Sequence, residues 1–164
     1  MIIILDECEM AICKMMAERR HATAREHNVR DQRMDKKMSG FEIDLLGAVS
    51  EMAWAKWRNT YPDLTASPRS GTYDAEYLGV TIDIKATKYK NGRLLSTLKK
   101  KEEDAQVYVL AIVEDNKVDF VGWTKASTLL SEENIGDLGC GKGYIMNQDQ
   151  LTKFKEDGDE DNNV

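Results

Sequence analysis

Between Tyr73 and Lys88 the chain reads YDAEYLGVTIDIKATK, and no other stretch restricts the fold as much. Val80, Ile82, Ile84 and Ala86 alternate with Thr81, Asp83, Lys85 and Thr87. Successive side chains of a strand point to opposite faces, so the apolar set faces a core and Asp83 and Lys85 share the other face. Leu78-Gly79 reads as the turn of a β-hairpin. With the turn centred there, Tyr77 faces Val80 and, counting back, Asp74 faces Asp83. Two carboxylates opposed across a strand pair repel and destabilise it. A divalent cation between them removes that objection.

A helix supplies a third acid. Ser39-Gly40-Phe41-Glu42 has the form of a capping box, with Met38 and Ile43 placed as the accompanying staple. The helix is expected to run to about Trp57 or Arg58, with Ile43, Leu46, Val49 or Ser50, Ala53 and Trp57 on its inner side. Glu51 sits mid-helix near Gly47, Ala48 and Ala55. A mid-helix glycine costs ~1 kcal/mol relative to alanine. Gly47 therefore suggests close packing on this face, which would bring Glu51 near a sheet.

The remaining pattern is mixed. Asp6 to about Arg30 reads as helix with Met10, Cys13, Met16 and Ala17 on an apolar stripe, and Arg19 to Lys37 as a solvated helix and connector. Tyr61 to Gly71 holds both prolines and reads as loop, and Asn91-Gly92 as a turn. Arg93 to Leu98 is a further strand candidate. Ala105 to Glu114, AQVYVLAIVE, predicts a central buried strand, followed after Asp115-Asn116 by an alternating strand from Val118 to Trp123. Thr124 is placed to cap a short helix over Lys125 to Leu130. Ile135 to Gly143 reads as loop, Tyr144 to Met146 as a short strand, and Asp149 to Phe154 as a helical turn or two. The fold class expected is α/β, a mixed central β-sheet flanked by helices. Residues 1–155 form one expected domain, with 1–38 as a helical extension and 39–155 as the core; 156–164 read as an acidic disordered tail.

At 164 residues, with 41% hydrophobic and 32% charged, the chain is of a size and composition to fold as a globular domain. The short apolar start, Met1 to Leu5, lacks a basic flank and the length of a signal segment, and three cysteines give no disulfide framework. A cytoplasmic location is expected. The net charge of −6 argues against nucleic acid, but five acids lie in the tail, and without them the charge is about −1. From Lys85 to Lys101 there are seven Lys or Arg and no acid. Lys88, Lys90 and Arg93 are the candidates here for contacts to nucleic acid, most readily DNA.

Phosphodiester hydrolysis needs oxygen ligands for Mg²⁺, with Mn²⁺ able to substitute, and a group to position or deprotonate water. Asp74 and Asp83 suit the metal, Glu51 can approach as a further ligand, and Lys85 can reach the water or the phosphate. Other motifs carry less. Gly136 to Lys142 has P-loop spacing, but Gly143 replaces the Ser or Thr that would hold Mg²⁺. Cys8, Cys13, His21 and His27 diverge around one helix, and the tryptophans read as core. Glu76 reads as an exposed strand residue.

Taken together, GAVSEMAWAKW, YDAEYLGVTIDIKAT, VYVLAIV and VGWT resemble the PD-(D/E)XK nuclease superfamily, especially small phage-encoded members. The likeness covers roughly Gly40 to Leu151. It implies a restriction-endonuclease-like core with Glu51 on the helix, Asp74 on the first arm and Asp83-Ile84-Lys85 on the second. Tyr73 stands before Asp74 where the motif has proline, and a literal Pro-Asp occurs at Pro62-Asp63, so Asp63 is the rival to Asp74. Since small resolvases and restriction-type members often work as dimers, a homodimer is one expectation. The other reading is a catalytically silent nuclease-like binding or regulatory protein, an inhibitor or DNA mimic, suggested by the acidic tail.

Overall fold

Strand alternation and two capped helices account for most of the architecture. The structure, a computed structural model, describes residues 1–27, 38–66, 73–137 and 141–155. The expected helix is α2 (Gly40–Arg58). Its capping box is formed: Glu42 N donates to Ser39 Oγ at 3.2 Å and Ser39 N to Glu42 Oε2 at 2.7 Å. A second box, formed by Asp6 and Glu9, starts α1 (Glu7–Glu26). Each cap stabilises its helix by about 1 kcal/mol.

The hairpin pairs β2 (Ala75–Tyr77) with β3 (Val80–Thr87) in the expected register, Ala75 with Ile82 and Tyr77 with Val80. Leu78 and Gly79 turn it with φ of 51° and 79°. Next comes β4 (Leu94–Thr97), then β5 (Val107–Glu114), which lies parallel to β3 and aligns Asp83 with Tyr108 and Lys85 with Leu110. The following β6 (Lys117–Lys125) returns antiparallel, with an irregularity after Leu110. With β1 (Ile2–Ile4) at one edge, the order is β1-β6-β5-β3-β2, a mixed five-stranded sheet. The chain continues through α3 (Ala126–Leu129), β7 (Ile135–Asp137) and β8 (Lys142–Met146), and β4-β8-β7 forms a separate sheet.

The period of two sorts the central strands into two cores. Ile82, Ile84, Val107, Val109 and Phe120 pack with Val49, Ala53 and Trp54 of α2 and with Cys13 and Met16 of α1. On the other face Tyr108 and Leu110 pack with Leu94, Met146 and Leu129. Fully burying side chains of this size contributes ~1.5–3 kcal/mol each. Asp83 and Lys85 therefore alternate with Ile82 and Ile84 onto the face that carries Tyr108 and Leu110, while Lys85 also lines a groove shared with Ile43 and Leu46 of α2.

Several expectations need correcting. The N-terminal stretch is built into the main body: β1 extends the sheet beside β6, and Leu5, Cys13 and Met16 belong to the helix-side core. Thr124 lies inside β6 instead of capping α3; Lys125, the last residue of β6, holds the cap position and makes no side-chain cap bond. The segment read as loop from Ile135 to Gly143 begins and ends in paired strands, with Gly136 opposite Gly143. That hairpin pairing is incompatible with the strand-to-helix loop of a P-loop. The C-terminal turn is shorter than expected, Gln148–Gln150, before Thr152 bridges to Trp123. Gly47 does not mark a close approach: an added Cβ would meet only Glu51 Oε1, at 3.7 Å. Its place is on the wall of an open groove. Residues 156–164, expected to be an acidic tail, lie outside the described residues. Among the described residues no helix is long and apolar enough to cross a membrane.

Candidate active site

Asp83 is the centre of the arrangement, with 2% of its side chain exposed. A bare carboxylate in such a place costs several kcal/mol of lost hydration. Two lysines offset that: Lys85 Nζ is 2.5 Å from Oδ1 and Lys100 Nζ 2.8 Å from Oδ2. The Lys85 contact is close but poorly aligned, so Oδ1 has no hydrogen-bond partner of good geometry. Lys100 sits between β4 and β5, and the sequence reading had it only as one of a basic run.

Asp74 stands just before β2 and is tied to β3 twice. Its backbone N donates to Ile82 O at 2.8 Å, and its Oδ2 accepts from Ile84 N at 2.7 Å. Burial, then the charges of Asp83 and Glu51, push its pKa up to about 7, against the opposing pull of Lys85 and the Ile84 bond. The opposition expected from the sequence is thus expressed as mutual repulsion.

Glu51 comes from α2 and is gripped by Arg20 of α1, Nη1 to Oε1 at 2.9 Å and Nη2 to Oε2 at 2.7 Å. Its pKa is still raised, first by burial and further by Asp63 and Asp83, with Arg20 pulling the other way. Arg20 was not a sequence candidate; it fell in a stretch read as solvated. A helical arginine offered no local sign that it would reach across to another helix.

The rival aspartate is near but differently used. Asp63, Glu51 and Asp74 line one cavity of about 570 Å³, with exposed Glu76 at its edge. The Asp63 carboxylate is occupied by Thr65, accepting from its N at 2.9 Å and its Oγ1 at 3.1 Å. Only Asp74 is held in register with Asp83.

Beside Lys85, a second groove of about 570 Å³ is lined by Lys85, Arg93 and Lys100 together with apolar residues of α2 and β4. The three basic candidates consequently separate. Arg93 joins this groove. Lys88 faces a different cavity, beside Asp6, Glu7 and Val113, and exposed Lys90 lies 3.6 Å from Glu114.

Tyr108, beneath Asp83, has a pKa raised by burial and by Asp83. Its hydroxyl and that of Ser96 are buried without a well-aligned hydrogen bond, though the two face each other. Trp54 is core, edge-on to Phe120 with ring centroids 5.5 Å apart, and Trp57 stacks on Phe120 at 5.4 Å. Cys13 is buried and Cys8 exposed, while His21 pairs with Asp44 at 3.2 Å.

The arrangement is polarised. Glu51, Asp63 and Asp74 line one cavity, with Arg20 holding Glu51, and Lys85, Arg93 and Lys100 line another, with Lys85 and Lys100 holding Asp83. Asp74 and Glu51 are pushed up in pKa by burial and then by neighbouring acids, and buried Asp83 Oδ1 lacks an aligned donor; these are the groups that would suit a divalent cation. As the side chains stand, no three His, Cys, Asp or Glu among the described residues are gathered at the spacing of a single ion. Glu51 and Asp83 are turned instead to cations of the chain. Compared with known proteins, the chain matches no family model, no curated protein and no solved structure.

Proposed function

We propose that this chain is a metal-dependent nuclease that hydrolyses phosphodiester bonds, with DNA as its substrate, built on a restriction-endonuclease-like core. The observation that carries the reading is the contrast around Asp83, which Lys85 and Lys100 hold: one cavity is lined by Glu51, Asp63 and Asp74 and another groove by Lys85, Arg93 and Lys100. Asp74 and Asp83 would hold Mg²⁺ or Mn²⁺, with Glu51 as a third ligand once it turns from Arg20. A divalent cation so held would polarise the phosphate and lower the pKa of a bound water. Lys85 donates to the attacking water or to a non-bridging phosphate oxygen. Lys100 and Arg93 hold the phosphate on the opposite side, where the charge developing in the transition state is stabilised by donors already in place.

The test is cleavage of plasmid, linear and branched DNA with Mg²⁺ or Mn²⁺. Asp83→Ala and Lys85→Ala are each expected to lower the rate by about a hundredfold or more. Equal rates in the wild type and both variants would defeat the reading.

A second reading has its own observation. Arg20 already matches Glu51, and Lys85 and Lys100 already match Asp83, so the network is self-consistent without a metal. A nuclease-like scaffold used only for binding or regulation would look the same. Titration calorimetry with Mn²⁺ separates the two: saturable binding abolished by Asp83→Asn favours the enzyme, and no heat favours the binding protein.

A further inference from the structure

The groove beside Lys85 is chemically divided. Its apolar wall is made by Ile43 and Leu46 of α2 and Leu95 of β4, and its cationic wall by Lys85, Arg93 and Lys100. Tyr89, exposed, stands at its edge. Ser96, only 1% exposed, lies at the floor of the same groove with its hydroxyl turned to that of Tyr108. The volume, about 570 Å³, is that of a small-molecule site, not of a flat polymer track.

Resting on the nuclease reading, we propose that this groove takes a single unstacked nucleotide of the substrate strand. Its phosphate lies on Lys85, Arg93 and Lys100, and its base lies against Ile43, Leu46 and Leu95. The charge of this wall favours such an occupant. Lys85 and Lys100 pair with Asp83, and with Arg93 they make a cationic lining suited to a phosphate, about −1 as a diester within a strand and about −1.5 to −2 as the monoester of a mononucleotide. An apolar wall within one side chain of those cations asks for a flat apolar group joined directly to the phosphate-bearing unit. A nucleotide has that construction. Unstacking a base is unfavourable in a duplex and least so in single-stranded or mismatched DNA. The groove thereby favours frayed, branched or single-stranded substrates over intact duplex.

The experiment is titration of the metal-free full chain, in a chelator, with thymidine 5′-monophosphate, followed by backbone amide NMR. Parallel titrations use thymidine and inorganic phosphate. Saturable shifts at groove residues are expected, with both partial ligands binding about tenfold or more weakly. Ile43→Gln and Arg93→Ala should each weaken the nucleotide by about tenfold, with melting curves checking that both variants fold. Phosphate binding as tightly as the nucleotide would reduce the groove to an anion patch and overturn the proposal. So would shifts that neither variant moves, or no saturation by about 10 mM, beyond which affinity falls below ~3 kcal/mol. DNA cleavage by the wild type is measured alongside. Cleavage without nucleotide binding defeats the groove assignment and leaves the nuclease standing, whereas binding without cleavage does the reverse.

Discussion

Arg20 and Glu51 meet in a two-bond pair, 2.9 and 2.7 Å, that ties the middle of α1 to the middle of α2. Both side chains are mostly shielded, 23% and 16% exposed. Removing one partner of such a pair leaves the other charge poorly solvated, which costs more than the pair itself contributes. Arg20→Met is expected to lose ~2 kcal/mol of stability at pH 8, less than the cost for a fully buried pair. The loss should shrink toward pH 5, because Glu51, already raised, will take up a proton more readily once Arg20 is gone. Urea melts at both pH values check this; a variant as stable as wild type at pH 8 would rule it out. Arg20→Met/Glu51→Met should recover much of the loss.

Asp74 sets the pH dependence of the metal-free protein. Its pKa goes from 3.8 to about 7 on folding, so the folded state binds the proton more tightly than the unfolded one. Stability from this group is gained as pH falls through about 7 and is complete near 3.8; it is lost as pH rises through that same window. Asp74→Asn keeps an oxygen acceptor for Ile84 N and removes the charge. The variant should be more stable than wild type at pH 8 in chelator, by about 1 kcal/mol or more, with a flatter profile between pH 5 and 8. Thermal melts across that range measure it, and parallel profiles would show that the carboxylate does not titrate there.

Lys100 competes with any cation for Asp83, its Nζ standing 2.8 Å from Oδ2. Lys100→Met should therefore tighten Mn²⁺ binding by several-fold in calorimetry. Without metal it should destabilise the fold by ~1.5–3 kcal/mol, the range for a hydrogen bond to a charged group. Weaker metal binding in the variant would mean that Lys100 positions the carboxylate for the ion instead of displacing it.

The hairpin and α2 were legible because their signals are local. Alternation, a turn pair and a capping box each fix a conformation within a few residues, and the register of Ala75 with Ile82 followed from the turn alone. Strand order was not legible, since the parallel pairing of β3 with β5 joins segments that no short pattern links. β1 was missed for the same reason: Ile2 to Ile4 form a strand because β6 offers an edge. In the candidate site, Asp74, Asp83 and Lys85 are set by the hairpin, and Glu51 by helical spacing. Arg20, Lys100 and Ser96 enter only through packing between elements. Gly47 was misjudged because a helical glycine can border empty space as readily as a crowded neighbour.

Leu78 carries the hairpin turn at a φ of 51°, where a side chain crowds the backbone and only Gly, Asn or Asp is at ease. With Gly79 at 79° the turn has both central residues at positive φ, for which Asn-Gly is the favoured pair. Leu78 is 65% exposed, so little packing compensates the strain. Leu78→Asn is accordingly expected to raise stability by about 1 kcal/mol, the cost of holding an ordinary residue in the left-handed region. The same change should leave DNA cleavage unaltered, since the register of Asp74 against Asp83 depends on turn length, which it preserves. Chemical denaturation of wild type and variant measures the first effect. A variant that is less stable would mean that the Leu78 side chain contributes contacts outweighing its backbone strain.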